Sequence, residues 1–189
     1  MQLFIANKNY SSWSMRPWVM LKQAGIEFEE VMVRFDGFDA QSKFKQTLKD
    51  INPVGKVPVL VDGDLAVWDT LSIAEYAAEK FPDKQLWPSK VAERARARSI
   101  CAEMHSGFAG IRSACPMNIE ASLPHIGQLL MRDKPAVAAD VARLEALLGG
   151  LLGRYADSHP SHMLCGAFSI ADAYFAPVVM RFKTYALPA

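Results

Sequence analysis

The fold of the first half of the chain is decided by the stretch Asn52-Pro53-Val54-Gly55-Lys56-Val57-Pro58-Val59-Leu60-Val61-Asp62-Gly63. A proline that opens a strand is tolerated only at its first position or at a sheet edge, and Pro58 stands at the start of the predicted strand. Asp62-Gly63 then separates two apolar runs, which is the signal of a β-hairpin. A cis Val57-Pro58 bond would turn the Val57 backbone groups away from the sheet, towards an extended peptide. An ordinary loop-to-strand proline is the alternative.

Strand and helix patterns alternate on both sides of this hairpin. Gly25 ends the first helix, and Pro17 is expected in its first turn, where a missing N–H is tolerated. Asp69 or Thr70 caps the last helix, and Pro82 stops it. The predicted strands are 1–6, 29–34, 57–61 and 65–68, and the predicted helices are 17–24, 41–50 and 70–80. The order β-α-β-α-β-β-α predicts an α/β, thioredoxin-like domain.

The second half of the chain carries only helical patterns, so we expect an all-α bundle. Helices are predicted at 91 to about 113, 135–155 and 170–182, and Pro116, Pro124 and Gly127 interrupt the region between the first two. Trp87-Pro88 marks a connecting segment. We therefore predict domains at 1–82 and 91–189, joined by a linker at 83–90.

Composition argues for a small-molecule partner. The 189 residues are 51% hydrophobic and 22% charged, enough for a sizeable core, and 21 Lys+Arg nearly cancel 20 Asp+Glu. No global field attracts a polyanion such as nucleic acid. The densest basic run, Arg94, Arg96 and Arg98, follows a helix around its axis and indicates a solvated face.

The termini and cysteines suggest a cytoplasmic protein without a membrane segment. No signal peptide precedes the first strand, and no apolar run is long enough to cross a bilayer. The three cysteines, Cys101, Cys115 and Cys165, lack any C-x-x-C pair. Their odd number and wide spacing argue against a disulfide framework or a structural zinc site.

Three serine hydroxyls cluster where the first strand meets the first helix, in Asn9-Tyr10-Ser11-Ser12-Trp13-Ser14-Met15-Arg16. The N–H groups and dipole of a helix N-terminus favour negative charge. A hydroxyl that donates to a thiol there would lower the thiol pKa from about 8.5. The alternative is that these serines only cap the helix. A Ser-His-Asp hydrolase is not indicated, because no G-x-S-x-G motif is present.

Asp69 and Thr70 form a second polar pair at a predicted helix start. The Thr70 N–H and hydroxyl can hold a carboxylate, while Asp69 can hold an ammonium group. A ligand end that bears both charges is an amino acid or a γ-glutamyl group. A capped structural helix is again the alternative.

The order and spacing of these motifs resemble the soluble glutathione S-transferase family along essentially the whole chain. Ser11-Ser12-Trp13-Ser14 is similar to the S-S-C-S segment of zeta-class members, the maleylacetoacetate isomerases. Val57-Pro58 matches the family's cis-proline, and Asp69-Thr70 stands where the family has Glu/Gln-Ser. Ser169 and Asp172 match the capping box of its C-terminal core. Trp13 departs from the zeta-class cysteine, and the chain stops at Ala189, where family members usually carry one or two more helices, so it is either naturally short or lacks a tail.

The resemblance implies an enzyme that binds glutathione as co-substrate, without a metal. The glutathione-binding residues would be Lys56, Val57, Pro58, Asp69 and Thr70. We take Ser11 as the activating hydroxyl on the zeta-like alignment, whereas counting back from Arg16 gives Ser12, and Tyr10 is a third candidate.

The glutathione thiolate would attack a small hydrophobic or conjugated electrophile, and the protein would be a homodimer. Isomerase or peroxidase activity, and a non-catalytic scaffold or hydrophobic-ligand carrier, are the alternatives. Residues expected around the electrophile are Tyr10, Trp13, Met104, His105, Phe108 and Arg112.

Overall fold

The computed structural model describes residues 1–37, 39–155 and 162–188. The chain divides into two compact units, Met1–Lys84 and Gln85–Ala189. No helix in the described ranges is both long and apolar enough to span a membrane.

The first unit is a four-stranded mixed sheet with three α-helices. The strand order is β2-β1-β3-β4, with β1 parallel to β2 and antiparallel to β3, and β3 antiparallel to β4. The predicted order of elements and the thioredoxin-like class are confirmed. The elements are β1 (Gln2–Ile5), α1 (Ser12–Gln23), β2 (Glu29–Met32), α2 (Lys43–Leu48), β3 (Val59–Asp62), β4 (Leu65–Trp68) and α3 (Thr70–Lys80), followed by a 3-10 turn at Pro82–Lys84.

Helices cover both faces of this sheet. Leu3 and Ile5 of β1 are buried on one face, where α1 and α3 contact the sheet and each other. Phe4 points to the opposite face, because successive side chains alternate along a strand. There it packs against a cluster made by α2 with the chain beyond β1 and β2: Ala6, Val33, Phe44 and Leu48.

The structure corrects the expected start of the first helix. α1 begins at Ser12, five residues before the predicted start, because Ser11 acts as its N-cap. Pro17 therefore lies inside the helix and not in its first turn. Since proline has no N–H, the carbonyl of Trp13, four residues earlier, loses its intrahelical donor. α2 is also shorter than predicted: it begins at Lys43, after the N-cap Ser42, and ends at Leu48, two residues inside the expected range at each end.

The second unit contains five α-helices in its described part. The continuous helix predicted from 91 to 113 is wrong: α4 ends at Ser106, and α5 starts after Phe108, which has a left-handed φ of 56°. The Arg112 guanidinium donates to the carbonyls of His105 and Gly107 at this break, both at 3.1 Å. The helices are α4 (Val91–Ser106), α5 (Ala109–Ala114), α6 (Pro124–Asp133), α7 (Pro135–Tyr155) and α8 (Ile170–Tyr185).

α6 is a helix that the sequence analysis missed. Pro124 and Gly127 were expected to interrupt structure, yet Pro124 occupies the first helical position, where proline is favoured. Gly127 faces the carbonyl of Tyr185 so closely that a Cβ would overlap it. The two apparent breakers therefore start α6 and allow it to approach α8.

The start and the end of α8 organise the second unit. The predicted capping box at its start is confirmed: Ser169 N–H donates to the Asp172 carboxylate at 2.8 Å, and the Ser169 side chain accepts from the third helical residue. Near its end, Arg181 Nε donates to the Cys115 carbonyl at 2.9 Å and Thr184 Oγ1 to the Asn118 carbonyl at 2.8 Å. These bonds hold the irregular segment before α6.

Candidate functional site

The serine segment, residues 9–16, contains two neighbouring hydroxyls that differ in accessibility: that of Ser11 is buried, and that of Ser12 is accessible. Ser11 is 7% exposed, and its Oγ donates to Ser14 Oγ at 2.8 Å while accepting from Ser14 N–H at 3.4 Å. Ser14 Oγ in turn accepts from the Ala6 N–H at 3.1 Å, which joins the end of β1 to α1. The Ser11 proton is therefore engaged within the fold.

Ser12 occupies the first position of α1 and is partly exposed. Within the described ranges its hydroxyl has no hydrogen-bond partner, although its carbonyl accepts from Arg16 at 2.9 Å. The neighbouring Tyr10 side chain is 56% exposed. Of the three candidate hydroxyls, Ser12 alone combines the helix N-terminus with a proton that is not engaged by the protein.

Trp13 and Arg16, on the same helix as Ser12, form a stacked pair. The guanidinium carbon of Arg16 lies 4.4 Å from the centroid of the Trp13 ring, and Arg16 is 2% exposed. A cation held against an indole face is a cation–π contact. Arg16 was not predicted to belong to the site, although its spacing of three from Trp13 puts both on one side of the helix.

Thr70 connects the serine segment to the second polar pair. Its side chain donates to the Trp13 carbonyl at 3.4 Å, and the residue is 2% exposed. That carbonyl is the one that Pro17 leaves without an intrahelical donor. The proline in α1 thus provides an acceptor through which the N-termini of α1 and α3 meet.

Asp69 is the N-cap of α3, and its carboxylate accepts from the Leu71 N–H at 2.8 Å. Its backbone has φ 73° and ψ 136°, a region that residues other than glycine rarely adopt. Such outliers persist where surrounding structure enforces them and cluster at ligand sites. The Asp69 side chain remains exposed beside the first turn of α3.

The Val57-Pro58 bond is cis, one of the two alternatives left open by the sequence. Val57 precedes β3, and no hydrogen bond of its N–H or C=O is found within the described residues. The loop before it is shaped by the buried Asn52, whose side chain accepts from Val54 and Gly55 and donates to the Lys56 carbonyl. The side chain of Lys56 is exposed.

The four candidates in the second unit lie on both sides of the α4–α5 break and not on one helical face. Met104 is fully buried, and Phe108 is 6% exposed. His105 Nδ1 lies 3.0 Å from the Tyr174 hydroxyl, and Arg112 is bonded to backbone carbonyls at the break. The structure thus gives each a packing or bonding role within this unit, and contact with a substrate stays a prediction.

Two buried groups of the second unit, Arg181 and Cys115, have shifted pKa values. Burial lowers the pKa of the Arg181 guanidinium, with a further contribution from the charge of Arg112. Burial also raises the pKa of the Cys115 thiol to about 11. No cluster of three or more His, Cys, Asp or Glu residues able to hold a metal is present in the part of the chain that the structure describes.

Comparisons with known proteins agree on one family. The family model for the glutathione S-transferase N-terminal domain matches residues 10–80. A zeta-class glutathione S-transferase from Euphorbia esula is 30% identical over 178 residues, covering 89% of this chain and 71% of that protein. A probable maleylacetoacetate isomerase from Caenorhabditis elegans is 32% identical over 149 residues, covering 77% and 64%.

Among solved structures, a glutathione transferase homologue from Burkholderia GL BGR1 with bound glutathione is similar in fold. Its TM-score is 0.66 at 21% identity, covering all of this chain and 82% of that one. This similarity shows the same fold, and the match to the zeta-class relative shows that the chain belongs to the glutathione S-transferase family.

Proposed function

We propose that this protein binds glutathione on its first unit, activates its thiol as a thiolate and joins that thiolate, through its sulfur, to a small electrophile. The observation that carries this proposal is the hydroxyl of Ser12, which is accessible at the start of α1 and is not engaged by another described residue. Ser11 stabilises this site from the protein interior, because it caps α1 and its hydroxyl donates to Ser14 Oγ.

A thiol beside Ser12 would lose its proton more readily than in water. A hydrogen bond to a charged group contributes about 1.5–3 kcal/mol, and a helix N-terminus adds about 0.3–1 kcal/mol for a nearby anion. At about 1.36 kcal/mol per pKa unit, these terms together lower the thiol pKa by roughly one to three units from its usual value near 8.5. A substantial thiolate fraction would then exist at neutral pH.

The thiolate then performs the chemical step as a nucleophile. Its lone pair forms the new sulfur–carbon bond, and the leaving group departs with the electron pair of the broken bond. The thiol proton has already passed to solvent, so the step requires no further acid or oxidant. This balance describes substitution at an alkyl or aryl halide.

Backbone groups and charged side chains of the first unit would bind glutathione. The N–H and C=O groups of Val57 would pair with the cysteine residue of glutathione, as an added strand does. The exposed Asp69 carboxylate would bind the ammonium group of the γ-glutamyl residue. The Thr70 N–H would donate to the carboxylate of the same residue. Lys56 would reach the glycine carboxylate.

A glutathione-dependent isomerase is the second candidate function. It is favoured by the 32% identity to the probable maleylacetoacetate isomerase. In this reaction the thiolate adds reversibly to a conjugated acid and leaves again, so it uses the same Ser12 site.

The test of the binding proposal compares glutathione with cysteinylglycine, which lacks the γ-glutamyl group, by calorimetry. We expect wild type to bind glutathione at least about tenfold more tightly, as the loss of one charge-assisted hydrogen bond implies. Asp69→Asn, which retains a capping side chain, should remove most of that difference and leave cysteinylglycine affinity unchanged. Asp64→Asn, on the β3–β4 turn, is the matched control. Equal affinity of wild type for the two peptides would contradict the proposal.

We further propose that the protein acts in the cytoplasm as a homodimer, with domains at 1–82 and 91–189. Three free thiols suit a reducing compartment, and the resemblance to the family supports the dimer. Sedimentation equilibrium at twice the mass of one chain would support the dimer, whereas the mass of a single chain would exclude it.

A further inference from the structure

An open groove of the second unit lies between α4 and α7, and none of its residues belongs to the proposed glutathione site. Its volume is about 310 Å³, at the lower end of the range of about 300–1,000 Å³ that small-molecule sites occupy. Three guanidinium groups and an aliphatic floor make up its lining: Arg96 and Ile100 of α4, and Arg143, Leu147, Gly150, Leu151 and Arg154 of α7.

The floor of this groove is aliphatic. Ile100, Leu147 and Leu151 are all buried, and the two leucines share one face of α7 because they are four residues apart. Gly150 adds no side chain above them, and a Cβ built on it would meet nothing within 4 Å. Among the described residues that line the groove none is aromatic, so the floor suits an alkyl chain better than a flat ring.

The arginines of α4 point to different partners. Arg94 donates to two backbone carbonyls of the segment before α4, and Arg98 stacks on the Trp87 ring. Arg96 is exposed at the groove, as is Arg154. Within residues 1–37, 39–155 and 162–188, neither of these two side chains forms an ion pair or a hydrogen bond.

Arg96 and Arg154 lie at the same end of the groove. Burial and the charge of Glu93 raise the pKa of the Tyr155 hydroxyl, and the charges of Arg154 and Arg96 oppose that rise, so both act on one group. Glu93 belongs to this end as well, and it forms an ion pair with Lys90 at 3.7 Å. Two positive charges therefore remain in excess here.

The opposite end of the groove is electrically neutral. There the Arg143 guanidinium forms a bidentate ion pair with Glu103, at 2.7 and 2.9 Å. Arg154 lies seven residues beyond Leu147, about 10 Å along α7 at about 1.5 Å per residue. The groove thus offers a cationic end followed by an aliphatic surface of that length.

We propose that this groove binds a single-chain alkyl phosphate, with its phosphate monoester between Arg96 and Arg154 and its chain along the aliphatic floor. Guanidinium groups bind phosphate oxygens in a bidentate manner. A phosphate monoester carries about −1.5 to −2 charge at neutral pH, which matches the two excess positive charges, whereas a carboxylate carries only one. The chain leaves water when it lies on the floor. Binding here requires no part of the glutathione reaction proposed above.

The test measures three ligands by calorimetry: octyl phosphate below its micelle concentration, inorganic phosphate, and octyl glucoside, which has the same chain without charge. We expect octyl phosphate to bind at least about tenfold more tightly than inorganic phosphate, because burial of two methylene groups already corresponds to that factor. It should exceed octyl glucoside by a similar factor, through its charge-assisted hydrogen bonds.

Two charge variants, Arg96→Gln and Arg154→Gln, should each weaken octyl phosphate binding about fivefold to tenfold and leave octyl glucoside nearly unchanged. Lys134→Gln is their control, since it removes one exposed charge about 30 Å along α7 from Arg154. Gly150→Leu should fill the groove and weaken both amphiphiles, whereas Gly150→Ala is too small to do so. Urea unfolding verifies that each variant folds.

Octyl phosphate that binds no more tightly than inorganic phosphate would overturn the proposal. An equal loss in Lys134→Gln and Arg96→Gln would show unspecific attraction to net charge, and full affinity in Gly150→Leu would exclude the groove. Binding to vesicles that contain phosphatidate, without binding of free octyl phosphate, would assign this face to a membrane instead. If the arginine variants do not fold, the contrast between Gly150→Leu and Gly150→Ala decides. Glutathione affinity, measured separately, tests the proposed function.

Discussion

At the scale of the residue, the presence of a serine hydroxyl in the sequence does not show that its proton is available to a ligand. The sequence predicts a cluster of serines at a helix start, and the structure places Ser11, Ser12 and Ser14 there. Which of them can donate to a ligand depends on the Ser11–Ser14 bond and on the Ala6 N–H. The sequence alone could not predict which serine is available, because this depends on how β1 meets α1 and not on the local sequence pattern.

Asp69 gives a prediction at the same scale. Glycine at this position should relieve the left-handed φ of 73°, and its loss of capping relative to aspartate is only a few tenths of a kcal/mol. We expect Asp69→Gly to leave the free energy of unfolding unchanged or raise it by up to ~1 kcal/mol, while glutathione affinity falls.

Asp69→Ala is the contrasting variant, because it loses the cap and keeps the unfavourable φ. It should destabilise the protein by about 1–2 kcal/mol in urea unfolding. Equal destabilisation by glycine and alanine would show that the backbone at Asp69 is not strained.

At the scale of the element, the sequence predicts what is locally encoded. The four strands, the Asp62-Gly63 turn between the last two and the Ser169–Asp172 capping box all depend on residues close in the chain, and each is found. The break between α4 and α5 was missed because it is completed by Arg112, which bonds back to two freed carbonyls. α6 was not predicted because Gly127 serves to let α8 approach closely, and the contacting residue of α8 lies about sixty residues later in the chain.

The close approach of α6 and α8 yields a matched pair of glycine substitutions. Gly127→Ala would force a methyl group into the carbonyl of Tyr185, so we expect a loss of about 1–3 kcal/mol or more in the free energy of unfolding. Gly149→Ala on α7 meets nothing within 4 Å and should instead stabilise the helix by up to ~1 kcal/mol.

Urea unfolding of both variants measures this contrast. A Gly127→Ala protein as stable as wild type would show that α6 and α8 lie further apart than described. Destabilisation by Gly149→Ala would show that α7 is obstructed there.

At the scale of the whole molecule, each compact unit has its own hydrophobic core. The accessibility of the cysteine thiols tests the packing of the second unit. Cys101 and Cys115 are fully buried, whereas Cys165 is partly exposed. Burial also raises the pKa of Cys115 to about 11 and that of Cys165 above its usual value. Cys115 and Cys165 therefore remain largely protonated at neutral pH.

We expect native protein at pH 8 to show at most one thiol that reacts with a bulky disulfide reagent, and three in denaturant. Cys165→Ser should abolish the native reaction and leave two thiols after unfolding. Rapid native reaction of two or more thiols would contradict the described packing of α4 and α5.

The central claim, that Ser12 holds the glutathione sulfur as a thiolate, is tested most directly by following thiolate absorbance of bound glutathione against pH. Wild type should hold a thiolate at neutral pH, and Ser12→Ala should raise the thiol pKa by about one to two units. Ser11→Ala should leave that pKa nearly unchanged and instead lower the free energy of unfolding by ~1 kcal/mol through loss of the N-cap. A pKa that rises in Ser11→Ala and not in Ser12→Ala, or a wild type without thiolate at neutral pH, would contradict the account.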